Sequence, residues 1–175
     1  MPAHHGPSVL VTGIHSQIGE YIGSAFMGHG WFVIGADGSR RTSHFARAHV
    51  QADLADVDSY ARAVHRAARL GNGLDAVVNV DAVPIFDDEG AAFIRAAFDQ
   101  GLTEMSGSIV NVLAEARSEG LVREFVQRRT AELAELTPGG RVNTVAPNLV
   151  EAAFTYRGSD ADEFLATLDA DEFSI

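Results

Sequence analysis

Short apolar segments alternate along the chain with longer amphipathic stretches. Six of the apolar segments have the length of buried strands: Ser8–Thr12, Trp31–Ala36, His49–Asp53, Leu74–Val80, Ser108–Ala114 and Arg141–Pro147. In the stretches between them, apolar residues recur three and four positions apart, which is the spacing of one helix face. Strands that alternate with helices in this way predict an α/β fold, with a parallel sheet covered by helices on both faces.

The amphipathic stretches predict helices with definite ends. Asp56 precedes the helix that begins near Val57 and is expected to cap its N-terminus. The glycines in "GNG" at 71–73 end that helix. Two later helices are predicted at 89–105 and 120–136, and both carry an apolar face.

The length of the chain predicts one main domain and a short tail. The 175 residues are enough for a substantial core, and we expect a doubly wound, Rossmann-like domain over residues 1–158. The tail at 159–175, "SDADEFLATLDADEFSI", holds six acidic residues and no basic one. It is interpreted either as a solvated short helix that closes the domain or as a docking segment for a partner.

Charge and composition exclude several classes of function. The formal net charge of −11 disfavours nucleic acid and anionic membrane surfaces, because both require clustered cations. The sequence contains no apolar run long enough for a membrane span and no signal-peptide pattern. It also contains no cysteine, which removes disulfides and thiolate sites. We therefore expect a cytoplasmic protein.

The histidines raise the question of a metal site. All seven lie at or before His65. His44 and His49 are close in sequence, but no acidic residue at ligand spacing completes a cage around them. No metal site is predicted.

A glycine-containing turn, "TGIHSQIG" from Thr12 to Gly19, joins the first strand to the first helix. Glycines at such a junction let the backbone approach a pyrophosphate, and the helix N-terminus supplies amide donors and a favourable dipole. Gln17 occupies the position where the usual T-G-x-x-x-G-x-G spacing has a further glycine. Asp37 ends the second strand, where a carboxylate accepts from a ribose 2′-hydroxyl and repels a 2′-phosphate, so NAD is favoured over NADP.

Six blocks in order resemble the short-chain dehydrogenases/reductases: "VTGIHSQIG", Asp37, "ADL" at Ala52–Leu54, "LDAVVNV", "GSIVNV" at Gly107–Val112 and "RVNTVAP". The resemblance covers most of the chain and implies a minimal Rossmann-like sheet that lacks the family's last strand and lid. It also implies the residues that bind the cofactor: Gly13, Ser16, Gln17, Ile18 and Gly19 in the pyrophosphate turn, Asp37 at the adenosine ribose, Asp53 and Leu54 beside the adenine, Asn79 at the end of its strand, and Pro147 near the nicotinamide.

The same comparison shows which catalytic residues are missing. The family uses a Tyr as general acid/base and a Lys four residues later that favours the phenolate by charge pairing, whereas this sequence has no lysine at all. The expected Tyr and Lys positions fall near Ser118 and Val122, and the catalytic Ser position is Ala114. Loss of a general acid alone costs about a hundred- to ten-thousand-fold in rate. The resemblance therefore implies that the usual hydride transfer is lost, and no catalytic residue is predicted.

Three functions stay open. The first is a non-catalytic subunit that pairs with itself or with an active short-chain dehydrogenase/reductase, because the helices at 89–105 and 120–136 match those of the family's dimer interface. The second is an NAD-dependent oxidoreductase with altered chemistry, whose polar candidates are Asp81, Glu115, Ser118 and Tyr156. The third is a regulatory module that responds to NAD(H). Whether the chain binds NAD or no cofactor is left open, because Gln17, Asp81 and Ala82 all depart from the family pattern around the site.

Overall fold

The computed structural model of the protein describes residues 6–80, 83–84, 89–102, 107–113, 120–136 and 139–145. Several predictions fall outside these ranges: those for Asp81, Ala82, Ala114, Glu115, Ser118, Pro147 and Tyr156, and for the boundary between the domain and the tail at 159–175.

Six strands form one parallel sheet in the order β3-β2-β1-β4-β5-β6. The strands are β1 (Ser8–Thr12), β2 (Phe32–Asp37), β3 (Ala48–Gln51), β4 (Ala76–Val80), β5 (Ser108–Val112) and β6 (Arg141–Val145). Each strand overlaps one of the predicted apolar segments, but β2 extends one residue further, to Asp37, and β3 begins one residue earlier, at Ala48. The predicted fourth strand is shorter than expected, because Leu74 forms only an isolated bridge with Leu102 and the ladder begins at Ala76.

Four helices connect the strands: α1 (Gln17–Gly28), α2 (Val57–Gly71), α3 (Gly90–Gln100) and α4 (Gly120–Glu135). Asp56 caps α2 as predicted, since its Oδ1 accepts from the Ser59 amide at 2.7 Å. The predicted helix at 89–105 ends earlier, at Gln100, and Gly101 is its C-cap. A Cβ atom on Gly101 would lie 2.5 Å from Val64 Cγ1, so a glycine lets the chain turn close against α2.

The core lies on both faces of the sheet. On one face α2, α3 and α4 cover the strands, and the largest buried side chains there are Leu10, Ile34, Tyr60, Leu74, Phe93, Ile94, Ile109 and Leu133. On the other face α1 packs against the sheet through Ile18, Ile22, Phe26 and Met27. The predicted doubly wound α/β fold is therefore confirmed.

The topology fixes where a ligand would bind. From β1 the chain proceeds outward to β2 and β3, and it then returns to the other side of β1 to form β4, β5 and β6. In open parallel sheets, ligands bind beyond the carboxyl ends of the strands at this switch point. The turn after β1, the end of β2 and the end of β4 therefore meet at one edge.

None of the helices in the described part of the chain combines the length and the apolar character that a membrane span requires.

Candidate dinucleotide-binding site

The turn after β1 is built on a glycine that no other residue could replace without strain. Gly13 has φ 62°, in the left-handed region, and its amide donates to the Ala36 carbonyl oxygen at 2.8 Å. A Cβ atom on Gly13 would lie 2.8 Å from the Val80 carbonyl oxygen. The turn therefore rests directly on the end of β4, and only glycine combines this dihedral angle with this close approach.

The N-terminus of α1 follows at once. Ser16 is its N-cap, and Ser16 Oγ accepts from the Gly19 amide at 3.0 Å. A Cβ atom on Gly19 would collide with the Gly13 carbonyl oxygen, so this second glycine closes the turn onto the helix. The amides of Gln17 and Ile18, at the start of the helix, have no intrahelical acceptor, as at any helix N-terminus. These amides and the helix dipole are suited to an anion such as a pyrophosphate.

The side chains of the predicted turn residues differ in exposure. Gln17 is exposed and Ile18 is half-buried, with its side chain packed against the α1 side of the core. Gln17, which replaces the expected glycine, therefore points away from the packed interior and leaves the backbone of the turn intact.

Asp37 lies at the end of β2 and already accepts several hydrogen bonds. Its Oδ1 accepts from the Ser39 amide at 2.8 Å, and its Oδ2 accepts from the His15 amide at 3.2 Å. The His15 ring nitrogen Nδ1 lies 2.6 Å from the same Oδ2. Burial on its own would raise the pKa of Asp37, but the His15 side chain, the Ser39 and His15 amides and the attraction of His15 outweigh it, so the pKa lies below its ordinary value. The carboxylate is ionised and able to accept from a ribose hydroxyl.

His49 on β3 lies against the same carboxylate. Its Nε2 is 3.6 Å from Asp37 Oδ1 and 2.9 Å from the Ser39 carbonyl oxygen. The His15 and His49 rings meet edge to face, with centroids 5.4 Å apart. In the sequence His49 is close to His44, whereas in the fold its side chain lies beside those of His15 and Asp37. The sheet register explains this, because His49 pairs with Gly35 and so faces the same side of the sheet as Asp37.

An open groove of about 600 Å³ runs on from Asp37 along the edge of the sheet. Its lining includes Asp37, Gly38, Gln51, Ala52, Asp53, Leu54, Ala55 and Ser59. The two residues predicted to flank an adenine are therefore both at this groove. Leu54 is buried in the core, and Asp53 is exposed, with its Oδ1 accepting from the Ala55 amide at 3.0 Å.

Asn79 is placed differently from the other predicted residues. Its side chain is buried, where its Oδ1 accepts from the Tyr60 hydroxyl at 3.1 Å and its Nδ2 donates to Asn111 Oδ1 at 3.0 Å. Burial raises the pKa of Tyr60, so this hydroxyl remains a donor. The chain of side chains Tyr60–Asn79–Asn111 ties α2 to β4 and β5 beneath the candidate site.

Sequence reasoning missed Tyr60 and Asn111, although a signal was present. The strands "AVVNV" and "SIVNV" each carry one asparagine among apolar residues, at corresponding positions. Asn79 and Asn111 are in fact register partners. Buried side-chain amides in adjacent strands need hydrogen-bond partners, and the Tyr60 hydroxyl on α2 supplies one of them.

These features define a Rossmann-type fold, with the glycine turn, the acid after β2 and the groove beside β3 at the same edge of the sheet. The sequence model of the NAD-dependent epimerase/dehydratase family matches residues 9–147. The chain belongs to this family, which is related to the short-chain dehydrogenases/reductases, and the predicted resemblance is confirmed.

Solved structures with similar folds include short-chain dehydrogenases/reductases. A glucose/ribitol dehydrogenase-type member from Brucella melitensis is 24% identical with a TM-score of 0.65, covering 81% of this chain and 74% of that chain. A short-chain dehydrogenase from Burkholderia cenocepacia in complex with NADP is 24% identical with a TM-score of 0.63, covering 92% and 82%. An oxidoreductase of this class from Brucella ovis, with a partially ordered NAD, is 20% identical with a TM-score of 0.59, covering 85% and 90%. A comparison with curated protein sequences finds no match.

Proposed function

We propose that the protein is an NAD(H)-binding, non-catalytic member of its family that acts as a subunit of a homo- or hetero-oligomer. One contrast carries the proposal: the turn from Gly13 to Gly19 and the carboxylate of Asp37 keep the geometry expected of a nucleotide site, whereas no lysine occurs anywhere in the sequence. The position for that lysine lies between β5 and β6, inside the chain, so its absence does not depend on where the sequence begins or ends.

The nucleotide part of the proposal rests on the charge and position of Asp37. An ionised carboxylate at the end of β2 accepts from the ribose hydroxyls of NAD and repels the 2′-phosphate of NADP. The groove beyond it, lined by Asp53 and Leu54, has an apolar floor and a polar rim suited to an adenine. The relatives in complex with NAD and with NADP support a nicotinamide dinucleotide as the class of ligand, and Asp37 favours the first of the two.

The non-catalytic part rests on the missing proton donor and its activating cation. Without a tyrosine and a lysine in the motif, a hydride leaving NADH for a carbonyl would create an alkoxide with no acid to protonate it. Arginine does not substitute readily, because its planar, weakly hydrated guanidinium has a different geometry from an ammonium. Binding of the cofactor therefore serves recognition or stability and does not lead to turnover.

The subunit part rests on α3 and α4, which lie together on one face of the sheet. Among the described residues of these helices, the exposed ones are polar, charged or small, and they include Arg95 and Asp99 on α3 and Gln127, Arg128, Ala131 and Glu132 on α4. Within this surface, Arg129 Nη1 donates to Glu132 Oε2 at 3.1 Å. We propose that a second copy of this chain, or an active homologue, packs here, and that the acidic tail at 159–175 is a second point of contact.

A turnover assay tests the proposal. The purified protein is mixed with NADH and a panel of aldehydes and ketones, and with NAD and the matching alcohols, while the absorbance of NADH is followed. We expect rates equal to those of the protein-free blank and a mass in light scattering of at least two chains. Turnover that disappears in Asp37→Ala would instead establish an enzyme with altered chemistry. A monomer would contradict the homo-oligomer, and a monomer that also fails to associate with an active homologue would contradict the subunit role.

A further inference from the structure

Two histidines and one aspartate converge at the carboxyl edge of the sheet from three separate strands. His15 follows β1, Asp37 ends β2 and His49 lies on β3. Each of these residues offers one ligand atom, and the three atoms all lie within 4.8 Å of one another. We infer that His15, Asp37 and His49 form a binding site for a divalent transition metal of the zinc class.

One of the two printed distances between these groups matches the separation of metal ligands, and the other is that of a hydrogen bond that an ion would replace. Zinc binds histidine nitrogen and carboxylate oxygen at about 2.0–2.2 Å, which places tetrahedral ligand atoms about 3.3–3.6 Å apart. His49 Nε2 is 3.6 Å from Asp37 Oδ1, and His15 Nδ1 is 2.6 Å from Asp37 Oδ2. A small outward movement of the His15 ring, which is 32% exposed, opens the space for an ion between the rings and the carboxylate.

The His49 ring is not fully satisfied by the protein. Its side chain is only 6% exposed, and Nε2 lies 2.9 Å from the Ser39 carbonyl oxygen. The other ring nitrogen, Nδ1, is buried without a hydrogen-bond partner among the described residues. An ion bound at Nε2 leaves the ring proton on Nδ1, and no hydrogen bond among the described residues has to break at that atom.

The surroundings supply the outer contacts that metal ligands need. The Ser39 amide donates to Asp37 Oδ1 at 2.8 Å and fixes the plane of the carboxylate. Such contacts orient a ligand. Two imidazoles and one carboxylate suit zinc, cobalt and nickel, whereas magnesium and calcium prefer sets made only of oxygen. Three protein ligands leave at least one position open for water or another ligand.

The metal and the dinucleotide would share Asp37. If the proposed function holds, a zinc ion on the carboxylate removes the acceptor that the adenosine ribose needs. The coupling is reciprocal, so zinc weakens NAD binding and NAD weakens zinc binding by the same factor. Zinc binding itself does not depend on the dinucleotide, which keeps the two proposals separable.

The test is a calorimetric titration of the tag-free, full-length protein with zinc chloride, repeated with cobalt chloride while the visible spectrum of the ion is recorded. We expect one ion per chain and a visible absorption spectrum of cobalt that is typical of four-coordinate, near-tetrahedral geometry. His15→Ala and His49→Ala should each lower zinc affinity by at least about tenfold, the lower limit seen when even an outer partner of a ligand is lost.

Matched variants separate this site from other histidines. His65→Ala changes an exposed histidine on α2 and should leave the affinity unchanged, and His4→Ala with His5→Ala removes the adjacent pair near the N-terminus. If His49→Ala does not fold, as judged by circular dichroism, Asp37→Asn replaces it, because it keeps the size of the side chain and removes its charge. Affinity that is unchanged in the site variants, affinity that disappears with His4 and His5, or no binding of either ion would each overturn the inference.

Discussion

At the scale of single residues, Asp37 connects the parts of the candidate site. It ends β2, accepts from two backbone amides and lies against two histidines. Its position was predictable from the sequence, because an acid at the end of the second strand follows from the strand pattern alone. Its partners were not, because His15 and His49 meet it only through the register of three adjacent parallel strands.

Asp37 should make the stability of the protein depend on pH in the acid range. Its folded-state pKa lies below the ordinary value of 3.8, so its ionised form stabilises the fold above that value. This contribution is lost as the pH falls through the folded-state pKa. Urea denaturation at a series of pH values below neutrality should show a steeper acid loss for the native protein than for Asp37→Asn. If the free energy of unfolding fell equally with pH in the two proteins, this role of the carboxylate would be contradicted.

Tyr60 should stabilise the fold through its hydroxyl. Tyr60→Phe removes the donor to Asn79 and leaves Asn79 Oδ1 buried without a partner, which costs about 1–3 kcal/mol in the free energy of unfolding. Tyr21→Phe is the matched control, because Tyr21 is 44% exposed, and its effect should stay within about 0.5 kcal/mol. Equal stability of the two variants in chemical denaturation would mean that the buried hydrogen-bond chain contributes nothing.

At the scale of elements, the alternation of strands and helices was predictable because it depends on periodicity, which is local. The cap at Asp56 and all six strands follow from it. The end of α3 was not predictable, because it depends on a tertiary contact. The chain turns at Gly101, where any side chain would collide with Val64. The contact between Asn79 and Asn111 was likewise not predictable, because it depends on the register of β4 and β5, which cannot be derived from periodicity.

The junction between β1 and α1 should tolerate no side chain at Gly19. Gly19→Ala places a methyl group against the Gly13 carbonyl oxygen and should destabilise the fold by about 1–3 kcal/mol, as overpacking does. Gly28→Ala, at the last residue of the same helix, meets nothing within 4 Å and should be neutral or slightly stabilising. Thermal unfolding of both variants checks this. A melting temperature for Gly19→Ala equal to that of Gly28→Ala would show that the turn is looser than described.

At the scale of the whole molecule, the sheet order brings the nucleotide side and the proposed association face to different parts of the fold. The phosphate turn and Asp37 lie at the carboxyl edge of β1 and β2, whereas α3 and α4 cover one face of the sheet. The two proposed roles therefore rest on different surfaces of the fold. The fold class was predictable from the sequence, because it rests on the alternation of strands and helices, whereas the preference for NAD stays a prediction. A choice of partner was not predictable, because it rests on a surface that no motif specifies.

The proposed association face should be sensitive to a bulky charge. Ala131 is exposed on α4, so Ala131→Arg should leave the monomer folded while it shifts the mass in light scattering towards one chain. Ser24→Arg, on an exposed position of α1 at the opposite face, is the matched control and should leave the mass unchanged. A mass that responds to Ser24→Arg and not to Ala131→Arg would move the interface to the α1 face.

The most direct test of the central claim is a calorimetric titration of the purified protein with NAD, NADH and NADP. We predict saturable binding of NAD and NADH, weaker binding of NADP, and a loss in Asp37→Ala of about 1.5–3 kcal/mol, the contribution of a hydrogen bond to a charged group. That loss corresponds to about a ten- to hundredfold weaker affinity, and Asp99→Asn, an exposed acid on α3, should bind as the native protein does. No heat at millimolar NAD, or equal affinity in Asp37→Ala, would contradict the claim that this edge of the sheet holds a dinucleotide.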